Sequence, residues 1–287
     1  MSESLLSRAD FLKTSALALS LPLLSRLDAD ARPLKKVGLQ LYTLRDTIMK
    51  DPDGVLAQVA ELGYKEVETF GYGDGKFFGK TPQALRTYLD SLGLTSPSGH
   101  YLPAQLRQGW DKTVADAAAL GQRYMVCAYI FPDERKTADD YKRFADLFNT
   151  AAQTCRNAGI QFAYHNHNFE FKPLDGQLGY DILLTNTDAK LVKMELDLYW
   201  ASFAGVDPVA LFTKNPGRFP LVHMKDMANT PTREFAEVGT GTIDFQRILN
   251  ARKLAGIKHF FVEQDVCKQP PLDAIALSFK NMKKLRF

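Results

Sequence analysis

Residues 141–166 run YKRFADLFNTAAQTCRNAGIQFAYHN, and the two halves of this stretch follow different periods. In the first half Tyr141, Phe144, Ala145, Phe148, Ala152 and Cys155 recur at steps of three and four, the spacing that lines one face of an α-helix. This predicts a helix over 141–158, and Gly159 stands where a helix stops in a left-handed residue. The second half, 161–166, is a short, mostly apolar run suited to a buried strand, and it ends in the polar pair His165 and Asn166.

The same unit repeats outward in both directions. Leu62-Gly63, Leu92-Gly93, Leu120-Gly121 and Ala255-Gly256 place a glycine at other junctions where a helix must give way to a strand. Strands are expected over 37–42, 66–70, 95–100, 124–130, 161–166, 191–198, 221–225 and 259–263, with helical segments between them. Eight repeats of strand and crossover helix close naturally into a (β/α)8 TIM barrel. An open doubly wound sheet fits less well, because the first strand is followed by Leu41-Tyr42-Thr43-Leu44-Arg45 and not by a glycine-rich phosphate loop. No linker-like stretch interrupts the 287 residues, so 32–287 reads as one catalytic domain.

Lys and Arg number 36 against 33 Asp and Glu, a balance that argues against nucleic acid as a partner. Cys127, Cys155 and Cys267 lack metal-type pair spacing and read as structural. The first 31 residues stand apart: Ser7-Arg8-Ala9-Asp10-Phe11-Leu12-Lys13 precedes a short apolar run, and Ala29-Asp30-Ala31 has the form of a cleavage site. This resembles a twin-arginine export signal with Ala9 in place of the second arginine, and implies a periplasmic protein; the alternative is a helical extension of a cytoplasmic one. The run is too short to be a permanent membrane anchor.

In a barrel of this kind chemistry sits at the C-terminal ends of the strands. Those ends collect Glu68, His100, His165, His167, Glu170, Glu195, Asp197, His223, Lys225, Asp226, Glu263 and Asp265, including four of the five histidines. Any one of them alone reads as an ordinary loop residue. Imidazoles and carboxylates gathered together suit one divalent ion such as Mn, Zn, Co, Mg or Fe. Aromatic residues at the same ends, Tyr42, Phe70, Tyr101, Tyr129 and Trp200, suit either packing or stacking on a sugar.

The segments Val192-Lys193-Met194-Glu195-Leu196-Asp197-Leu198-Tyr199-Trp200, Val222-His223-Met224-Lys225-Asp226 and Val262-Glu263-Gln264-Asp265 resemble the last strand ends of the xylose isomerase-like barrel superfamily, which includes tagatose epimerase, hydroxypyruvate isomerase and inosose dehydratase. The resemblance covers nearly everything after residue 35 and implies a metal held by residues of strands five to eight. The family's Asp, His and last Glu fall on Asp197, His223 and Glu263. Its strand-five Glu falls on His165, with Glu170 as a competitor for that position.

What the resemblance implies is an isomerase or epimerase acting beside the carbonyl of an unphosphorylated keto-sugar or related polyol through an enediolate. A lyase, dehydratase or hydrolase on the same barrel is the alternative, and a non-catalytic sugar-binding protein is the third; a homo-oligomer stays open. Within that reading Glu263 ligates metal and exchanges a proton, while His167 or Glu170 handles a proton or hydroxyl. Lys225 faces either a developing enolate oxygen or a salt bridge to Asp226 or Glu195. Glu68, His100, Trp200 and Lys225 are expected to touch the sugar, and the loop Gly239-Thr240-Gly241-Thr242-Ile243-Asp244-Phe245 is expected to close one side of the pocket.

Overall fold

The computed structural model describes residues 34, 36–174 and 176–286; the proposed export signal at 1–31 lies outside them. Eight parallel strands form a closed barrel: β1 (Gly38–Gln40), β2 (Glu66–Thr69), β3 (Thr95–Tyr101), β4 (Tyr124–Cys127), β5 (Gln161–His165), β6 (Val192–Asp197), β7 (Leu221–Met224) and β8 (His259–Val262). Each strand pairs with its successor in the chain, and β1 closes the ring on β8 with Gly38 opposite Phe261. The barrel expected from the repeat is the one observed.

The crossover helices α1 (Pro52–Glu61), α2 (Pro82–Ser91), α3 (Trp110–Leu120), α4 (Ala138–Asn157), α5 (Gly179–Asn186), α6 (Pro208–Lys214), α7 (Phe245–Asn250) and α8 (Pro271–Met282) cover the strands. Helix α4 buries Tyr141, Phe144, Ala145, Phe148, Ala152 and Cys155, the face its spacing predicts. Thr137 caps its start by accepting from the Asp140 amide. Gly63, Gly93, Gly121, Gly159 and Gly256 all have positive φ, so the junction glycines do occupy left-handed positions. Among the described residues no helix is long and apolar enough to cross a membrane.

Several strands stop short of their expected ends, and polar side chains are the reason. The Gln40 side chain accepts from the Tyr42 amide and turns the chain into the 3₁₀ turn Leu41–Leu44. Asp197 does the same for β6: its carboxylate accepts from the Trp200 amide at 2.8 Å and caps the helix Leu198–Phe203.

Inward side chains alternate along the strands and stack in layers. At the N-terminal end His259 meets Glu66 at 2.7 Å. The middle layer is an apolar plug of Tyr124, Val126, Ala163, Leu221 and Phe261, separate from the larger core between strands and helices. The polar groups of the C-terminal end stand on that plug. Cys127 and Cys155 are buried, and burial pushes both thiols up to about 12, which suits packing and not reactivity.

Phe261 fills the plug because Gly38 has no side chain. A Cβ on Gly38 would lie 2.4 Å from Phe261 Cδ1 and 3.0 Å from the Phe260 carbonyl oxygen. Gly38→Ala is therefore expected to lower stability by about 1–3 kcal/mol in denaturant unfolding, with part of the loss recovered when Phe261→Leu is added. Equal losses with and without the second substitution would show that the clash is not with Phe261.

Candidate active site

The C-terminal ends of β2, β3, β5, β6, β7 and the segment after β8 bring their polar side chains to one centre. His165, Asp197, His223 and Glu263, the four residues expected around a metal, are all buried and offer ligand atoms within 4.8 Å of one another. A second group of His100, His165, Glu195 and His223 meets the same limit. The imidazoles of His100, His165 and His223 pack with ring centres 4.5–5.2 Å apart. Glu195 is the residue whose closeness sequence reading underrated; its place two residues before Asp197 on β6, and so on the same face, was the available signal.

Electrostatics divide the histidines. Burial works against a charge on His100, but Glu68 and Glu195 outweigh it and raise the imidazole to about 9. His223 likewise is raised well above its ordinary value: Glu195 and Glu263 overcome its burial, and Glu263 lies 2.6 Å from Nδ1. His165 goes the other way, pushed well down by burial and by the neighbouring His223 and His100. His167 is lowered to about 3 by burial and then by Lys225, so it is a neutral imidazole.

Lys225 is 2% exposed, and its ammonium reaches Asp197 Oδ2 at 3.0 Å, Glu263 Oε2 at 2.7 Å and Asp265 Oδ1 at 2.7 Å. Neither Asp226 nor Glu195, the salt-bridge partners weighed from sequence, takes part. Burial alone would raise Glu263, yet Lys225 and then His223 hold its carboxyl well below the usual range. Burial prevails for Asp197, which rises to about 6 against the pull of Lys225.

A cavity of about 570 Å³ opens over this floor. Its lining includes His100, His165, His167, Lys225, Glu263 and Asp265, while Tyr42, Phe70, Leu102, Tyr129 and Phe131 form an apolar wall. Arg45, unnoticed in the sequence, also lines it; its guanidinium donates to the carbonyl oxygens of Asp265 and Tyr42 at 2.9 and 3.1 Å.

Other expected contacts fall elsewhere. Glu68 is fully buried below the cavity, where it accepts from the Gln40 amide at 2.7 Å and meets His223 Nε2 at 2.7 Å. Trp200 packs behind His167 with ring centres 5.8 Å apart and does not line the cavity. Tyr101 is buried away from the cavity with its hydroxyl on Gln122. The loop at 239–243 is also not a cavity wall: the Asp226 carboxylate accepts from the amides of Gly239, Gly241 and Ile243 at 2.9–3.1 Å and folds the loop around itself. A Cβ on Gly241 would lie 2.4 Å from Asp226 Oδ1.

Glu170 stands apart from the metal-type cluster. It is fully buried, accepts from the Tyr164 hydroxyl at 2.5 Å and from the His167 amide at 2.9 Å, and so fixes the backbone that presents His167. Tyr164 and His165 point to opposite faces of β5, which is why a side chain bonded to Tyr164 cannot also stand beside His165.

Comparison with known proteins agrees with this architecture. A family model described as xylose isomerase-like TIM barrel matches residues 56–285. Inosose dehydratase of Geobacillus kaustophilus (strain HTA426) is 26% identical over 200 residues, 61% of this chain and 62% of that protein, so the match spans less than two thirds of the relative. Inosose dehydratase of Lacticaseibacillus casei is 24% identical over 250 residues, 74% of this chain and 82% of its own. A solved sugar phosphate isomerase/epimerase from Parabacteroides distasonis ATCC 8503 has 29% identity and a TM-score of 0.76, over 85% of this chain and 92% of that one. The IOLI protein, solved with a zinc atom, has 16% identity and a TM-score of 0.67 over 86% of this chain and 96% of its own, a likeness of fold alone.

Burial raises Glu170 from the ordinary 4.5 to about 7, against the hydrogen bond from Tyr164. Between these values the folded chain keeps a proton that the unfolded chain has lost, so this residue's contribution to stability falls as pH rises from about 4.5 through 7. Glu170→Gln reproduces the protonated form. Its stability relative to wild type is expected to rise by on the order of 2 kcal/mol across that window in urea unfolding. Parallel pH curves for the two proteins would refute the raised carboxyl.

Proposed function

We propose, from the premise that this chain belongs to the xylose isomerase-like TIM barrel family, that it is a divalent-metal enzyme that moves a proton on the carbon beside a carbonyl of an unphosphorylated keto-sugar or related polyol. The observation that carries this reading is the buried set of His165, Asp197, His223 and Glu263 at the floor of a sugar-sized cavity that also holds His167 and Lys225. The residues fit an ion. Nitrogen and oxygen donors mix as first-row divalent metals prefer, and Asp197 Oδ2 is buried with the Lys225 ammonium at 3.0 Å and His165 Nε2 at 3.9 Å beside it. These four residues would hold it, and a bound ion supplies Lewis acidity that polarises the substrate carbonyl.

The chain's own groups account for the rest. Glu263, kept ionised by Lys225, accepts the proton from the carbon next to the carbonyl. Lys225 places an ammonium on the same side, where negative charge develops on oxygen as the enediolate forms. His167 also lines the cavity as a neutral imidazole, a group that can exchange a hydrogen bond or proton with a substrate hydroxyl. Glu170 positions His167 through its backbone amide. The substrate is read as unphosphorylated because the Arg45 guanidinium on the cavity wall is engaged with the carbonyl oxygens of Tyr42 and Asp265.

Returning the proton to carbon gives an isomer or epimer; expelling a hydroxyl from the next carbon gives dehydration. Dehydration is favoured as the second reading because an imidazole, His165, and not a second carboxylate, stands at the strand-five position of the ligand set that also holds Glu263. The inosose dehydratase relatives support the same reading.

Incubation of the metal-loaded protein with ketoses, 3-keto-sugars and inososes in deuterated water, followed by proton NMR, tests the common step and separates its two outcomes. Deuterium is expected to enter the carbon beside the carbonyl, and its absence across the panel would overturn the reading. Glu263→Gln should slow exchange by roughly 100-fold or more while some metal stays bound. His223→Ala should lose metal and activity together. Wild-type exchange by the Glu263→Gln protein would reduce Glu263 to a ligand at most and move the base to His167.

A further inference from the structure

At the cavity floor, four donor atoms from four strands face one another in a ring. His100 Nε2 lies 3.2 Å from Glu68 Oε2, which lies 2.7 Å from His223 Nε2; that atom lies 3.1 Å from Glu195 Oε2, which closes the ring at 2.7 Å from His100 Nε2. Each imidazole nitrogen therefore faces both carboxylates, whereas a single N–H directs its proton along one line. Two imidazole nitrogens and two carboxylate oxygens at such mutual distances form a donor set that suits a coordination shell. Ligands about 2.0–2.1 Å from a tetrahedral ion sit about 3.3 Å from one another, so edges of 2.7–3.2 Å need only a slight outward movement to admit one.

Two independent observations point the same way. Glu68 Oε1 and Glu195 Oε1 are buried and have no hydrogen-bond partner, so each carboxylate crowds its contacts onto one oxygen and leaves the other bare. Glu68 and Glu195 are also fully buried charges whose only ion-pair partners among the described residues are histidines; no Lys or Arg reaches them. The charge of these two buried carboxylates is met only by imidazoles that must each hold an extra proton, and a divalent cation in place of those protons balances it equally.

We infer that Glu68, His100, Glu195 and His223 form a second divalent-cation position on the barrel floor, distinct from the group of His165, Asp197, His223 and Glu263 on which the proposed function rests. His223 stands between the two. Its Nε2 faces Glu68 and Glu195, and its Nδ1 faces Glu263 at 2.6 Å. His165 is placed similarly, with Nδ1 3.2 Å from Glu195 and Nε2 3.9 Å from Asp197. On this assignment Glu68 and His100 belong to an ion and not to the sugar.

The test counts ions. Full-length protein is loaded with Zn²⁺ or Mn²⁺, exchanged into metal-free buffer, and measured by elemental analysis and native mass spectrometry beside Glu68→Gln, His100→Asn and Asp197→Asn. Two ions per wild-type chain are expected, with one remaining in each variant, and the Co²⁺-loaded protein should lose a different absorption component in Asp197→Asn than in the two floor variants. The wild-type count decides even where a variant misfolds, which thermal melting detects. One ion that is lost in Asp197→Asn but kept in both floor variants would overturn the floor site and leave the proposed function standing. Two ions kept in Glu68→Gln and His100→Asn would also overturn it. One ion kept in Asp197→Asn but lost in the floor variants would support the floor site and overturn the ligand set of the proposed function. No ion in any of the proteins would overturn both.

Discussion

The Lys225 ammonium, held between Asp197, Glu263 and Asp265 at 2.7–3.0 Å, is the interaction on which the C-terminal end of this barrel depends. A closed barrel gives its inward side chains no path to water except at the two ends, so charges placed there must be matched by other charges inside. Burial raises Asp265 and Asp197, and Lys225 opposes that rise in both. Without it three carboxylates would crowd together uncompensated. Its stem rises from the position after β7, two residues past His223, so the strand that brings the imidazole to the centre also delivers the ammonium.

Neighbouring histidines diverge because each faces different company. For His100 and His223 the adjoining carboxylates outweigh burial and favour the charged form, while for His165 and His167 burial prevails, reinforced by neighbouring imidazoles and Lys225, and favours the neutral one. A neutral imidazole offers a lone pair to a metal or a proton; a charged one offers neither until it loses its own proton. The site thus combines metal-ready and carboxylate-bound rings with centres 4.5–5.0 Å apart, on the rigid frame of the strands.

Carboxylates also organise the loops around the site. Asp197 serves both the centre and the cap of the helix after β6, and Asp226 folds the 239–243 loop by accepting three amides. Glu170 sets the backbone at His167. These groups lie next to the chemistry without lining the cavity, and they leave the apolar wall of Tyr42, Phe70, Leu102, Tyr129 and Phe131 to shape its mouth. Buried polar atoms without partners, such as Glu68 Oε1, Glu195 Oε1 and His167 Nδ1, gather at the site while the plug beneath it is apolar and well packed. Local cost concentrated at a centre of this kind is what function requires of a stable scaffold.

The sequence by itself determined the barrel, because a helix face such as Tyr141 to Cys155 and a terminal glycine such as Gly159 are local signals that repeat with each unit. It also determined that Asp197, His223 and Glu263 stand at strand ends, since a polar residue closing an apolar run is visible in one dimension. What only the tertiary structure decided is which of these residues meet. Glu68 reads as a mouth residue, yet ring closure and the stagger of the strands lower it beneath the cavity against His223, 155 positions away in the chain, while His100 stays in the lining and packs on the same His223 ring. Glu170 lies five residues from His165 but is drawn to the opposite face of the strand by Tyr164, and Arg45 reaches the cavity only because β1 closes on β8. Periodicity is a property of neighbours in sequence, whereas register and closure depend on pairing between distant strands, and that pairing set the content of the site.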